Sequence, residues 1–269
     1  ITSTSGSFGA VLTLATSGGN AGAVTYVVDS GTCTLATSTT LNLGAVGDSC
    51  MVTATRAGDA TYAVVSSAST SIVTNKGTQA GLVTPSGITI SYLSTGLDLS
   101  TLTYTGGSGT GSIGFSTATT GCSINGTTLT STNTVGSPAC SISAVKAGDA
   151  SYNTGSPSVF TVAISKANQA ALSVTSTSAT YGQSLSLTYS GGSGTGAITF
   201  ALVSGSCTVS GTSLTPTAAT TCVVKVTKAL DTNYNVASSA DTTVTIAKGN
   251  QAALSVSYTH LTLPTTPYV

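Results

Sequence analysis

Cys140-Ser-Ile-Ser-Ala-Val-Lys146-Ala-Gly-Asp149-Ala-Ser-Tyr152 is the stretch that decides the fold, because the chain writes it three times. Its first half alternates: Cys140, Ile142 and Ala144 share one face, with serine between them, which is the period of a half-buried β-strand. Its second half sets a register from the cysteine, with a basic residue at +6, an aspartate at +9 and a tyrosine at +12. The same register recurs at Cys50, Arg56, Asp59, Tyr62 and at Cys222, Lys228, Asp231, Tyr234. Upstream, an aromatic precedes another cysteine by seven residues each time: Tyr26 and Cys33, Phe115 and Cys122, Phe200 and Cys207. A period of 80 to 90 residues is too long for a solenoid repeat and suits a string of small complete domains.

The surface that such domains present is unusual. Ser, Thr and Gly form nearly half of the 269 residues, charged residues only 5%, and every acidic residue is Asp. A typical globular chain carries roughly 25% charged residues. Formal net charge is zero, and seven scattered Lys/Arg make no basic stripe, so nucleic acid is excluded as a partner. Disorder is excluded by periodicity. Leu185, Leu187 and Tyr189 alternate with hydroxyl residues, as do Ile198, Phe200 and Leu202, then Val244 and Ile246. No apolar run reaches the ~18 residues of a membrane-spanning helix.

Six cysteines fall two per repeat, 17, 18 and 15 residues apart. That parity predicts one disulfide in each unit, Cys33–Cys50, Cys122–Cys140 and Cys207–Cys222, and hence an extracellular or cell-surface location. The second cysteine of each pair lies on the apolar face of its strand and is expected in the core. Zinc is the rival reading, but the units contain no CxxC and no histidine ligand.

A second phrase marks where units begin. Lys76-Gly-Thr-Gln-Ala-Gly-Leu, Lys166-Ala-Asn-Gln-Ala-Ala-Leu and Lys248-Gly-Asn-Gln-Ala-Ala-Leu each follow a Val/Ile/Thr-rich strand. The expected organisation is a first unit over 1–75, N-terminally truncated, complete units over 76–165 and 166–247, and the start of a fourth over 248–256. The remainder, 257–269, reads Ser-Tyr-Thr-His-Leu-Thr-Leu-Pro-Thr and onward, resembles a translated sequencing adapter, and holds the chain's single histidine, His260. The chain is therefore read as a metagenomic fragment. Within 166–247, strands are expected near 171–175, 184–190, 197–203, 206–209, 212–216, 221–228 and 241–247. Their spacing implies an all-β fold of two packed antiparallel sheets, about seven strands per unit.

Tyr189-Ser-Gly-Gly-Ser-Gly-Thr-Gly, Cys207-Thr-Val-Ser-Gly and Lys228-Ala-Leu-Asp-Thr-Asn-Tyr-Asn together resemble bacterial immunoglobulin-like domains. The resemblance covers residues 1–256 and is loosest at Ser17-Gly-Gly-Asn-Ala-Gly in the first unit. It implies tandem immunoglobulin-like sandwiches of a large surface or secreted protein, serving as stalk or adhesin segments, with no catalytic residue. Neighbouring units of the same chain are the partners it implies, with surface glycans or proteins as further candidates.

Chemistry-bearing motifs are few. Gly109-Thr-Gly-Ser-Ile-Gly114 matches the dinucleotide pattern GxGxxG, but no helix pattern follows it, so a hairpin connection is expected instead. The set Arg56, Asp59, Tyr62, with Lys146, Asp149, Tyr152 and Lys228, Asp231, Tyr234, reads as a structural corner. Asp accepts backbone N–H bonds in a turn, Tyr packs its ring and bonds its hydroxyl locally, and the basic residue is a surface partner. A platform for stacking sugars on the three tyrosines is the alternative. Asp29, Asp48, Asp98 and Asp241 do not recur, serine has no histidine base, and no DxDxDG occurs, so no enzyme, cofactor or metal is expected. Asn125-Gly-Thr127 is a formal glycosylation acceptor. A Lys–Asn cross-link at Lys76 or Lys166 would need an acidic catalyst that the sequence does not place. The function expected is a non-catalytic spacer, with a glycan- or protein-binding module as the alternative. Strands of about seven residues span ~23 Å, so three units would reach on the order of 100 Å.

Overall fold

The computed structural model describes residues 1–20 and 22–258. It contains two compact bodies, one running from Ile1 to Ser165 and the other beginning at Lys166. The second body is the simplest to follow. Its larger sheet runs Ser178–Thr180, Thr242–Ala247, Thr221–Lys228, Ile198–Gly205, with Ala237–Ser238 also paired to Thr221–Lys228. Facing it is a three-stranded sheet of Leu185–Ser186, Ser213–Pro216 and Cys207–Ser210, and a short pair of Ser173–Val174 with Tyr189–Ser190. Alternation fills the space between the sheets. Cys222, Val224 and Val226 are fully buried while Thr221 and Lys225 point outward.

The body from Ile1 to Ser165 repeats this layout twice, around two separate apolar clusters. One gathers Leu14, Leu41, Val52 and Ile72, and the other Leu99, Leu129, Ile142 and Val162. The central strands, Ser49–Arg56 and Cys140–Lys146, hold the same position as Thr221–Lys228, each between an edge-ward partner and the chain's last strand of that unit.

Three details differ from the sequence reading. Residues 184–190 do not form one strand, because the chain switches sheets at Leu187, which is buried, leaving Leu185–Ser186 and Tyr189–Ser190 in different layers. The sheets are not purely antiparallel. After Val174 the chain crosses to the larger sheet, so that Ser178–Thr180 runs parallel to Thr242–Ala247, as Ser5–Ser7 does to Thr70–Asn75 and Ile88–Ser91 to Ser158–Ser165. Finally, the glycine-rich stretch around Gly109 is an arch rather than a hairpin. Thr105–Gly106 pairs with Leu82–Val83 while Ile113–Thr117 pairs with Cys140–Lys146 in another sheet, and no helix follows to hold a pyrophosphate.

Disulfides join Cys33 to Cys50, Cys122 to Cys140 and Cys207 to Cys222, with Cα separations of 5.9, 5.9 and 6.1 Å. Cys122 and Cys207 lie in the smaller sheet and Cys33 immediately before its strand Thr34–Thr37, while each partner lies on the central strand of the larger sheet, so each staples layer to layer across the core. Loops of this size confer about 3 kcal/mol on so small a unit. Among the described residues no helix is long and apolar enough to cross a membrane. His260 and most of the tail, 259–269, lie outside the described residues.

Candidate functional site

The repeated residues converge at one end of each unit. In residues 76–165 the Asp149 carboxylate is the hub. Oδ1 accepts the backbone N–H groups of Ser151 and Tyr152 at 2.8 and 2.9 Å, and Oδ2 accepts the N–H of Thr110 from the glycine arch. These donors hold its pKa down at about 2, the Thr110 bond contributing most. Asp231 repeats the arrangement with Thr195, Asn233 and Tyr234, and its pKa is lowered for the same reason. Asp59 accepts the backbone N–H groups of Thr61 and Tyr62, both at 2.8 Å. Its pKa is lowered too, by the Thr61 bond first.

Glycine is obligatory in the arch for two reasons. Gly109 and Gly194 sit at φ +68° and +67°, and a Cβ there would be driven into the carboxylates of Asp149 and Asp231. Gly111 and Gly196 lie as tightly against the carbonyls of Ala147 and Ala229.

The entry phrase Lys-x-x-Gln belongs to the same site, which the sequence reading did not see. Gly77 forms a parallel bridge to Tyr152, donating its N–H to Ser151 O and accepting from Asn153 N, both at 2.9 Å. Ala167 does the same with Asn233 and Asn235. Lys76 Nζ donates to Asp149 O at 2.6 Å, and Lys166 Nζ donates to Asp231 O. Gln79, 8% exposed, donates to Ala147 O at 2.7 Å and accepts from Ser108 N at 3.1 Å, clamping corner to arch. Gln169 makes the matching pair with Ala229 O and Ser193 N. The threefold recurrence of Gln three residues after Lys was the available signal.

The corner's own basic residues and rings behave differently from expectation. Lys146 and Lys228 lay their alkyl stems over Gly107 and Gly192 and form no ion pair among the described residues, while Arg56 donates to Gly22 O at 3.1 Å. Tyr152 enters the turn through its backbone; its ring meets Phe8, and among the described residues its hydroxyl has no local hydrogen bond. The locally bonded hydroxyl belongs to Tyr104, which donates to Leu99 O at 3.0 Å and whose pKa is raised by burial. Lys76 and Lys166 are bonded to carbonyls, not linked to asparagine. The four non-recurring aspartates are scattered. Asp29 accepts from Thr53 and Ser69, Asp48 from Thr32, Asp98 caps the short 3₁₀ turn Leu99–Thr101, and Asp241 is exposed.

No protein-family model matches the chain, and no curated protein does. Among solved structures it is similar to Drosophila N-cadherin EC1-4, at 12% identity and a TM-score of 0.27 over 88% of this chain and 69% of that one. It is likewise similar to immunoglobulin domains 1–4 of Sidekick-1, at 12% identity and a TM-score of 0.29 over 92% of this chain and 73% of that one. Two facing sheets, the sheet switch after the first strand and the layer-to-layer disulfide are by themselves the marks of an immunoglobulin-like sandwich. The chain is a tandem of immunoglobulin-like sandwiches. In the second and third of these sandwiches the corner aspartate, the arch and the entry phrase's Lys and Gln bond one another within the unit.

Proposed function

We propose that this chain is a non-catalytic structural and adhesive spacer from a bacterial cell-surface or secreted repeat protein, divided into units 1–75, 76–165 and 166–247 with a fourth beginning at 248. The observation that carries this reading is the entry phrase. It leaves one unit's last strand and, within three residues, is bonded into the corner of the next through Lys76 and Gln79. A connection so short and so fully bonded suits a stalk better than a flexible tether. The corner residues act structurally in this reading, and the disulfides suit an oxidising, extracellular setting. Small-angle scattering of the 269-residue chain is the test: an elongated particle is expected, and a compact globule overturns the spacer.

Glycan or protein binding at exposed tyrosine is the second reading, and Tyr62, 47% exposed, is the observation that favours it. A glycan array probed with the folded chain would show binding lost in Tyr62→Ala.

A further inference from the structure

We propose that Asn125 is a self-modification site, at which the folded chain converts its own asparagine to aspartate and isoaspartate in water. The site is the tip of the hairpin formed by Cys122–Asn125 and Thr128–Ser131, where Asn125 pairs with Thr128 across the two-residue turn Gly126-Thr127. The dipeptide Asn-Gly occurs once in the sequence. Closure of an asparagine side chain onto the next residue's nitrogen is fastest before glycine, which has no side chain to shield that nitrogen.

The turn explains the glycine and not the asparagine. Gly126 sits at φ +61°, as Gly211 sits at φ +60° in the equivalent hairpin of the third unit, and two-residue hairpins favour glycine there. The residue before that glycine is Ser210 in the third unit, and the first unit turns between Thr37 and Thr40 with neither residue. An amide is therefore not needed to make this turn. The Asn125 side chain is exposed and, among the described residues, neither its amide nor the N–H of Gly126 has a hydrogen-bond partner. Nothing lies within 4 Å of a Cβ built at Gly126, so the nitrogen is open to approach. Other asparagines are held. Asn133 Nδ2 donates to Thr120 O at 3.0 Å, Asn153 Nδ2 to Lys76 O at 3.4 Å and Asn235 Nδ2 to Asn168 Oδ1 at 3.1 Å.

The chemistry needs only water. Gly126 N bonds to Asn125 Cγ, the Cγ–Nδ2 bond breaks, and ammonia leaves with the proton from Gly126 N, giving a cyclic imide. Water then adds to one imide carbonyl. Opening at Cγ gives aspartate, and opening at the main-chain carbonyl of residue 125 gives isoaspartate, with the chain now running through Cβ and Cγ. Either product places a new carboxylate on the outward row Asp98–Thr128–Asn125, in a chain whose formal net charge is zero. Isoaspartate also adds a methylene to the main chain at the turn. Thr127 O accepts the N–H of the fully buried Leu99 at 2.8 Å, so lengthening the tip acts on the core of residues 76–165. The exposed turn is thus a chemical clock on the unit beneath it.

This inference rests on the hairpin and not on the spacer role. The test is timed incubation of the folded 269-residue chain in mildly alkaline buffer, followed by peptide mapping with fragmentation that separates aspartate from isoaspartate. The peptide holding Asn125 is expected to gain one mass unit, with isoaspartate present. Its rate should be within about tenfold of that of a synthetic peptide spanning Ser123–Ser131, because a tip with few buried contacts opens at little cost. Peptides holding Asn133, Asn153 and Asn235 are expected to stay unchanged over the same period. Asn125→Ser, which copies the third unit's turn, should fold and abolish the mass gain. Calorimetry of aged samples should show the transition of residues 76–165 lowered in the parent and unmoved in Asn125→Ser. An Asn125 that stays intact, that reacts only once urea has unfolded the chain, or that reacts no faster than the held asparagines overturns the proposal. An aged, modified parent that melts like the fresh one overturns the clock.

Discussion

The ring of Phe8 meets the ring of Tyr152 edge-on, with centroids 5.4 Å apart and planes at 87°. Phe8 follows the first parallel strand of one sandwich, and Tyr152 closes the Asp149 turn of the next. The joint is thus made from the backbone feature that ends one larger sheet and the corner that starts the following unit. Gly77 passes beside them, where a Cβ would crowd the Phe8 carbonyl oxygen and lie 3.2 Å from the Tyr152 ring.

Edge-to-face aromatic pairs couple by about 0.5–1.5 kcal/mol beyond their area. A double-mutant cycle of Phe8→Ala and Tyr152→Ala in the full chain, followed by urea unfolding, is expected to return a coupling in that range. A coupling of zero would mean that the rings touch without holding the units together.

Asp149 sets an acid limit on its unit. Its carboxyl titrates at about 2 in the folded chain against an ordinary 3.8, so protonation favours the unfolded state. The stabilisation is complete above about pH 4 and is lost as pH falls through about 2. Urea midpoints of the parent chain should therefore drop across that window. Asp149→Asn should start lower at pH 5 and show a shallower drop, since it has no charge to lose. Parallel curves for the two proteins would remove the corner from the acid response.

The β-class, the cysteine faces and the coincidence of three corners were legible because alternation and spacing are local properties of the chain. Cys222, Val224 and Val226 could only face one way. The split of 184–190 at Leu187 was not legible, because an apolar residue that crosses between sheets reads like one that stays within a strand. The role of Gln79 and Lys76 was hidden for a different reason. Their partners, Ala147 O and Asp149 O, are backbone carbonyls some 70 residues away, and a carbonyl has no letter in the sequence. The outward turn of Tyr152 was missed because its neighbour Phe8 is remote from it in the sequence.

The arch glycines give a position-specific test. Gly194→Ala places a methyl group in the Asp231 carboxylate at a φ of +67° and should destabilise the Lys166 body by more than about 1 kcal/mol. Gly81→Ala is the matched control: nothing lies within 4 Å of its Cβ and its φ is not positive, so it should be within about 0.5 kcal/mol of the parent. Equal effects at both sites, read by urea unfolding, would show that the arch adapts around Asp231.

The Cys207–Cys222 bond should decide whether the third unit persists as a folded body. Its ends lie 15 residues apart, in facing sheets, and Cys222 is fully buried against Val224 and Val244. A loop of that length restrains the unfolded chain by about 3 kcal/mol, a large share of the stability of a unit of roughly 80 residues. For a domain of this size each kcal/mol moves Tm by roughly 4–8 °C, so reduction, or paired Cys207→Ala and Cys222→Ala, should lower the transition of this unit by roughly 12–24 °C. Deleting residues 257–269 should leave that transition unchanged, because among the described residues the unit's buried cluster ends at Ile246. Differential scanning calorimetry on the parent, reduced, double-alanine and truncated proteins separates these outcomes. A transition indifferent to reduction would show that the sheets of this unit hold without their staple.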